Sequence, residues 1–543
     1  MMSKVILFGI DGGSLKLIEQ WKDELPTFKR IMKGGVFGEL LSTVPALTCP
    51  AWPCMFTGKN PGKLGMYDFL SLELNDEREP RVFSSLDYHS SSLWKILNEY
   101  GKKVGLLNVP MTFPPHKIDS FVVCGLGTPQ TAGVNYTCPA ELGETLNELV
   151  GGYEIIPSII LTLYGQEEKC LKKSKGILKK RVKAAEYLMD NFPWDLFVCV
   201  FSVLDVVQHY FWRYMDTSHP KHIANSKYKD VIKDFYKRID EAIETLISEI
   251  SEDTNILIAS DHGFGPYYGG FSVNKWLEEN GYLKFKHSAH RKSLNAGLRE
   301  VRDFLLPRLS PKLVRLVAKV IPQGLANRLT TRGESKDKML QIYRNIEWAE
   351  TKAYALGMTT GGIFINLKGR EPGGVVEPGK EYEKFRDEII DKLSKVADPK
   401  TGEPLSFHTF KREEVHWGQY ANLAPDISIE LGSKYYPTTL SGESLWIEYA
   451  ASGSHVPQGM FMAYGPDIKK EGMRLADLKI YDISPTILHI FGLPIPDDMD
   501  GRVLIEIFKA GTEPAKRAVV YQKASEMEKI KGKIKQLKAS GRI

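Results

Sequence analysis

Residues 254–265 read TNILIASDHGFG, an uninterrupted apolar run that ends in an Asp–His pair and two glycines. Four more stretches have the same form, namely KVILFGIDGG (4–13), KVGLLNVPMT (103–112), SFVVCGLGTP (120–129) and DLFVCVFSVLD (195–205). Such runs predict strands that are buried on both faces, as in a parallel sheet covered by helices. Because segments of helical length follow the strands, we predict an α/β fold.

An aspartate stands at or just beyond the end of three of these apolar runs. The three residues are Asp11, Asp205 and Asp261. In parallel sheets, ligands bind beyond the carboxyl ends of the strands. We therefore expect the three carboxylates to belong to one site.

The composition is that of an ordinary globular protein, with 43% hydrophobic and 26% charged residues. A net charge of +5 over 543 residues does not call for a nucleic-acid partner. The six cysteines have no CxxC spacing, which favours a reducing cytoplasm over a disulfide framework. The N-terminus lacks an apolar signal core, and no stretch has the length of a membrane helix. We expect a cytoplasmic protein that is at most peripheral to a membrane.

The stretch 286–332 differs from the rest of the chain, because it has eleven Lys and Arg against two acidic residues, a net of +9. Apolar residues recur in it at helical spacing, which predicts amphipathic basic helices. Sheet-like segments resume at 353–357, 362–367 and 426–431, where we expect the α/β core to re-enter. The predicted domains are a core in two parts (1–285 and 346–510), a basic helical insertion or cap (286–345) and a Lys-rich helical tail (511–543).

Three histidines accompany the aspartates. His262 follows Asp261 directly, His209 lies four residues after Asp205, and His455 lies in the small-residue loop GSH (453–455). Taken singly, an aspartate at a strand end is more often a helix cap, and a single Asp–His pair such as Asp205 and His209 is more often explained by a satisfied, partly buried histidine. Together, three carboxylates and three imidazoles suffice for two zinc-like ions, which can clamp the attacking and leaving oxygens of a phosphoryl displacement.

Such a site also needs a nucleophile, and the segment PALTCPAWPCMFTGKNPGKLG (45–65) offers Thr48. We predict that a helix starts near Pro50, directly after it. A metal-bound hydroxyl loses its proton far more readily than a free one. The alternative is that Thr48 caps the helix, and both readings can hold together because a helix N-terminus also favours phosphoryl oxygens.

The motifs FGIDG (8–12), LTCPAW (47–52), FTGKNPGKLGMYDF (56–69), LDVVQH (204–209), SDHGFG (260–265) and GSHVPQG (453–459) occur in this order. This series resembles the nucleotide pyrophosphatase/type I phosphodiesterase branch of the alkaline phosphatase superfamily. The resemblance covers the chain apart from the basic insertion and the tail. It implies a three-layer alkaline-phosphatase-like sandwich with a mostly parallel central sheet, and a hydrolase that forms a phosphothreonine.

By position, the resemblance also implies which residues bind metal. One ion would be held by Asp205, His209 and His455, and the other by Asp11, Thr48, Asp261 and His262. The family's metal is usually zinc, with manganese in some relatives. Phosphodiesterase relatives often have an Asn where this chain has Ala51, and many have a His at the position of Leu64.

The substrate is expected to be a nucleotide or another phosphodiester, with Asn108, Lys59 and Asn274 as candidate binding residues. A phosphomonoesterase or phosphoryl transferase of the same superfamily is the alternative. Cys49 is not followed by the Cys-x-Pro-x-Arg pattern of a sulfatase. An alternative of another class is a protein that binds anionic membranes through 286–332 and retains only a relic of the hydrolase core.

Overall fold

The computed structural model describes residues 4–71, 81–87, 91–129, 133–156, 166–286, 343–357, 361–371, 373–405, 407–431, 434–439 and 444–524. The strands are β1 (Lys4–Ile10), β2 (Val36–Leu41), β3 (Leu70–Ser71), β4 (Arg81–Val82), β5 (Val104–Val109), β6 (Ser120–Cys124), β7 (Thr137–Cys138), β8 (Leu196–Phe201), β9 (Thr254–Ala259), β10 (Gly263–Pro266), β11 (Gly269–Ser272), β12 (Ala353–Ala355), β13 (Ile363–Ile365), β14 (Phe407–Lys411), β15 (Ile427–Leu431), β16 (Tyr435–Thr438), β17 (Trp446–Ile447), β18 (Gly453–Val456), β19 (Gln458–Tyr464), β20 (Met473–Lys479), β21 (Ile495–Pro496) and β22 (Tyr521–Gln522). The helices are α1 (Leu15–Trp21), α2 (Pro26–Gly34), α3 (Thr48–Thr57), α4 (Pro61–Leu64), α5 (Leu93–Glu99), α6 (Leu142–Val150), α7 (Glu167–Asn191), α8 (Val203–Met215), α9 (Val231–Ser248), α10 (Val273–Glu279), α11 (Lys380–Leu393), α12 (Arg412–Val415), α13 (Ile483–Ile490) and α14 (Glu513–Lys516).

Nine strands form the central sheet, in the order β20-β2-β19-β9-β1-β8-β5-β6-β7. Five of its eight strand pairs are parallel, including the four consecutive pairs from β9 to β6. The three pairs at β19 and β7 are antiparallel. The five apolar runs of the sequence are β1, β5, β6, β8 and β9, so the prediction of a mostly parallel α/β sheet is confirmed.

Helices cover both faces of this sheet because its strands are apolar on both sides. Along β1, Val5 and Leu7 face a core that includes α3, α5 and α13. The alternate residues Ile6 and Phe8 face a second core that includes α1, α2 and α6 to α9. The result is the three-layer sandwich that the family resemblance implied.

A smaller sheet forms in the second half of the chain, in the order β12-β13-β15-β14. It has its own core with α10 and α11. The three sheet-like segments that were expected to rejoin the central core at 353–431 belong to this smaller sheet, so that expectation was wrong in its location. Among the described residues after the gap at 287–342, the chain returns to the central sheet at β19. The spacing of apolar residues indicates that a strand is buried, but it does not indicate which sheet the strand joins.

Two predictions fall outside the described residues. The basic stretch 286–332 does so except for Lys286, and the Lys-rich tail does so from residue 525 onwards. Within the ranges that are described, no helix combines the length and the apolar character needed to cross a membrane.

Candidate active site

The site lies at the carboxyl ends of three adjacent strands, β9, β1 and β8. Asp11 follows β1 directly, Asp261 and His262 follow β9, and Asp205 lies in the first turn of α8 after β8. Since neighbouring parallel strands end at the same edge of a sheet, these residues meet although they are up to 251 positions apart in the chain.

His455 reaches this edge through a short antiparallel pair, β10 with β18, in which it lies opposite Phe264. Close packing at two glycines allows this approach. A Cβ at Gly263 would lie 1.9 Å from the carbonyl oxygen of Gln458, and one at Gly453 would lie 2.4 Å from the carbonyl oxygen of Gln208. Any side chain at these glycines would therefore displace the ribbon that carries His455.

The first group of candidate ligands comprises Asp205, His209 and His455. His455 Nε2 lies 3.1 Å from both Asp205 Oδ1 and His209 Nε2. His209 Nε2 lies 3.4 Å from the same Asp205 oxygen. Helix α8 positions Asp205 and His209 on one face because they are four residues apart.

The second group comprises Asp11, Asp261 and His262. His262 Nε2 lies 3.6 Å from Asp11 Oδ1 and 3.3 Å from Asp261 Oδ2. The two groups are contiguous, since the rings of His262 and His455 stack with their centroids 3.7 Å apart. His262 also lies within 4.8 Å, ligand atom to ligand atom, of Asp205 and His455.

Backbone carbonyls orient all three imidazoles. Nδ1 of His209 bonds to the carbonyl of Gly453 at 2.8 Å, that of His262 to Gly263 at 3.1 Å, and that of His455 to Ala46 at 3.3 Å. A carbonyl accepts, so each Nδ1 carries the proton and each Nε2 directs a lone pair into the cluster. This is the tautomer in which histidine binds a metal.

The arrangement fits divalent cations. Asp11 Oδ1 and Asp261 Oδ2 are buried and accept no hydrogen bond from any described residue. Burial and the neighbouring carboxylates raise the pKa of Asp11 well above its ordinary value, and burial, with Asp205 adding to it, raises the pKa of Asp261 to about 7. Carboxylate oxygens and imidazole lone pairs that converge without donors are costly unless a cation binds among them.

Thr48 adjoins this cluster. Its Oγ1 lies 3.3 Å from His262 Nε2, and the side chain is buried. Helix α3 begins at Thr48, two residues earlier than predicted, and Leu47 occupies the N-cap position. The reading of Thr48 as the helix cap was therefore wrong. The ring of Trp52 packs against Gly9 of β1, where a Cβ would lie 2.5 Å away, and so holds α3 against the sheet.

A family comparison decides the broad identity. The model of the type I phosphodiesterase/nucleotide pyrophosphatase family matches residues 5–458. The chain belongs to this family. It is accordingly a phosphoric ester hydrolase of a class that depends on divalent metals.

One solved structure supports the fold of this phosphodiesterase family member. An inactive variant of murine ectonucleotide pyrophosphatase/phosphodiesterase 5 in complex with AMP is 13% identical, with a TM-score of 0.50, over 93% of this chain and 100% of that one. The human protein of the same name is also 13% identical over the same shares, with a TM-score of 0.48. None of the curated proteins compared with the chain matches it in sequence.

The three candidate substrate residues have different surroundings. Asn274 donates to the carbonyls of Ala355 and Thr439 at 3.0 and 2.9 Å and accepts from the Ala355 amide at 2.8 Å, so its side chain ties α10 to the smaller sheet. Lys59 forms an ion pair with Asp498. Asn108 donates to the Val200 carbonyl, and its buried Oδ1 has no partner among the described residues.

Two positions depart from the pattern common in phosphodiesterase relatives. Ala51 and Leu64 are both fully buried within the apolar core that includes α3. Neither position can supply an amide or an imidazole to a phosphoryl group. Phosphate recognition in this member must therefore come from other groups.

Sequence reasoning missed the residues that hold the ligand loops. Ser42 donates to the Asp261 carbonyl at 2.5 Å, and Ser260 donates to the Gly13 carbonyl at 3.0 Å. Gln208 donates to the Gly12 carbonyl at 2.8 Å. The signal for Gln208 was its place inside the motif LDVVQH, whereas nothing local marked Ser42.

Proposed function

We propose that the protein is a phosphodiesterase or nucleotide pyrophosphatase that uses two divalent ions and Thr48 as its nucleophile. The observation that carries this proposal is the convergence of three carboxylates and three imidazoles beside the Thr48 hydroxyl, in which two buried carboxylate oxygens accept no hydrogen bond from the described residues. Asp205, His209 and His455 would hold one ion. Asp11, Thr48, Asp261 and His262 would hold the other.

In this proposal the reaction has two displacements at phosphorus. Thr48 Oγ1 gives up its proton and forms a bond to phosphorus while the bond to the leaving oxygen breaks, and the leaving group departs with a proton; the product is a phosphothreonine that still carries the second ester group of a diester. Water then attacks phosphorus from the opposite face, and Thr48 regains its hydroxyl as the phosphorylated product leaves. The ions, when bound, would lower the pKa of the hydroxyl and stabilise charge on the attacking and leaving oxygens.

Several contacts support Thr48 in this role. Burial and the neighbouring carboxylates raise the pKa of Asp11, and a hydrogen bond with the Thr48 hydroxyl partly offsets this rise. As the first residue of α3, it stands where helix amides and the helix dipole favour a negatively charged phosphoryl group. The Ala51 side chain is apolar and cannot bind a phosphoryl oxygen. The N-terminal end of α3 is therefore the group that we propose for phosphoryl binding.

The proposed substrate is a nucleotide or another phosphodiester. The family description and the AMP complex of the murine relative support a nucleotide. The donor set of carboxylates and imidazoles suits zinc and also accommodates manganese. We propose zinc as the usual metal.

The proposal also covers location and a second surface. The six cysteines are unpaired thiols, which supports a reducing cytoplasm. The net charge of +9 in residues 286–332 supports attraction to an anionic membrane surface. The alternative for this stretch is a cap whose cations attract a polyanionic substrate.

The test combines metal content with a substrate panel. Elemental analysis after mild purification should find about two divalent ions per chain, as the two-metal mechanism requires. Nitrophenyl phosphate mono- and diesters, nucleotides and sulfate esters would be assayed with zinc and with manganese. We expect diesters or nucleotides to be the fastest substrates. Faster turnover of monoesters would favour the phosphomonoesterase alternative, and a folded protein that takes up no metal would refute the proposal.

A further inference from the structure

A chain of buried hydrogen bonds runs behind the metal-ligand cluster. Its centre is Gln208, which lies on α8 between Asp205 and His209 but directs its amide away from them. Gln208 Nε2 donates to the Gly12 carbonyl at 2.8 Å, and the side chain is fully buried. Helix α8 is thereby bonded to the loop that follows β1.

The backbone of Gly12 forms hydrogen bonds with two different elements of the fold. The Gly12 amide donates to Asp261 Oδ1 at 3.2 Å, while its carbonyl accepts from Gln208. Gly12 has a φ of +70°, and a Cβ there would lie 2.9 Å from the ring of Phe264. This glycine, next to Asp11, thus links one candidate ligand, Asp261, to the helix that carries two others.

Tyr236 of α9 fixes the orientation of the Gln208 amide. Its hydroxyl donates to Gln208 Oε1 at 3.2 Å and accepts from the Ser14 amide at 2.9 Å. Because the hydroxyl proton goes to Oε1, the Gln208 NH₂ group must face Gly12. Gln208 and Tyr236 are each fully buried, so water does not compete for these bonds.

We propose that Gln208 and Tyr236 are positioning residues that set the spacing between the two halves of the metal site. One half is the first group, in which Asp205 and His209 lie on α8 beside His455, and the other is Asp11, Asp261 and His262 on the two neighbouring strand ends. The Gln208 side chain connects these halves by its hydrogen bond to Gly12, and Tyr236 determines the orientation of the Gln208 amide. The inference rests on the proposed two-metal function. Residues that orient metal ligands from behind typically contribute 10- to 100-fold to metal affinity.

The experiment compares metal binding rather than activity alone. Gln208→Met keeps the length and volume of the side chain but removes both hydrogen-bonding groups, and Tyr236→Phe removes only the hydroxyl. Metal-free full-length proteins would be titrated with Mn²⁺ by calorimetry, after circular dichroism and melting confirm folding. Tyr382→Phe is the matched control, since it removes a buried tyrosine hydroxyl that donates to Asp426 at 2.6 Å in the smaller-sheet region.

We expect the affinity for Mn²⁺ to fall roughly 10- to 100-fold in Gln208→Met and less in Tyr236→Phe. Tyr382→Phe should lose stability but keep the parent's affinity. Parent-like affinity in both folded site variants would overturn the inference while leaving the proposed function intact. If Gln208→Met does not fold, Tyr236→Phe decides the matter by the same criterion. A parent protein that binds no Mn²⁺ and no Zn²⁺ would overturn the proposed function and the inference with it.

Discussion

Replacing Thr48 by alanine separates a catalytic role from a structural one. Leu47, not Thr48, is the N-cap of α3, so the substitution removes no helix cap. It removes one buried hydroxyl, which lies 3.3 Å from His262 Nε2. The six carboxylate and imidazole ligands and the packing of Trp52 on Gly9 remain.

The expected effects on stability and on catalysis differ widely in size. Loss of one buried hydrogen bond costs about 1 kcal/mol of unfolding free energy, and alanine in the first turn of a helix recovers part of this. Removal of a nucleophile typically lowers turnover by roughly 10⁴-fold or more, which corresponds to about 5 kcal/mol in the activation barrier. Thr48→Ser retains the oxygen and should keep part of the activity.

The assay measures turnover, metal content and melting temperature on the same preparations, with the best diester or nucleotide as substrate. A rapid-quench experiment on the parent should trap the substrate's phosphoryl group, with its retained ester substituent, on Thr48, and Thr48→Ala should show no such adduct. The reasoning is refuted if Thr48→Ala binds two metal ions and turns over at a rate near that of the parent. Loss of activity together with loss of metal would instead indicate that Thr48 acts mainly as a ligand.

Three further predictions concern the ribbon that carries His455, a buried carboxyl group and the basic stretch. Gly263→Ala should lower the melting temperature and metal content together, because its Cβ would lie 1.9 Å from a backbone oxygen. Gly176→Ala on α7 is the control: outside its own helix backbone, a Cβ there would meet no atom of the described residues within 4 Å, so the change should stabilise by about 1 kcal/mol. Burial raises the pKa of Glu430 to about 7 in the folded protein. Between the ordinary Glu pKa of about 4.3 and this value, folding therefore takes up a proton. The free energy of unfolding falls as the pH rises through that range. Glu430→Gln should therefore be more stable than the parent at pH 8, on the order of 1–3 kcal/mol, with little difference at pH 4 in chemical unfolding; an equal gain at both pH values would contradict this. Deletion of residues 286–332 should abolish salt-sensitive binding to anionic vesicles. If the deletion instead raises the KM for anionic substrates and leaves vesicle binding unchanged, the stretch is a cap that attracts a polyanionic substrate.

The local pattern of apolar and polar residues was enough to predict the layered fold and to identify many of the candidate site residues. An apolar run such as 196–201 has no polar face, which favours a strand that is covered on both sides. The aspartates that follow three of these runs, Asp11, Asp205 and Asp261, then had to lie at a shared edge if the strands were parallel neighbours. The spacing of four between Asp205 and His209 likewise follows from helix geometry alone.

Other features depend on contacts between distant parts of the chain. The strands of the smaller sheet have the same apolar pattern as those of the central sheet. The two sheets could not be told apart from the sequence, because the spacing of apolar residues indicates burial and not which strands pair. The helix that begins at Thr48 is held by packing of Trp52 on Gly9, and propensity near Pro50 could not predict its exact start.

Tertiary structure also decides how the two groups of candidate ligands meet. His262 stacks on His455 only because β10 pairs with β18 across nearly 200 residues, in a register that Gly263 permits. Gln208 reaches Gly12 in the same way, through the packing of α8 against the loop after β1. Residue types and their local spacing determine which side chains can bind a metal, but the distances between them arise from the pairing of strands and the packing of helices, which no local stretch of sequence contains.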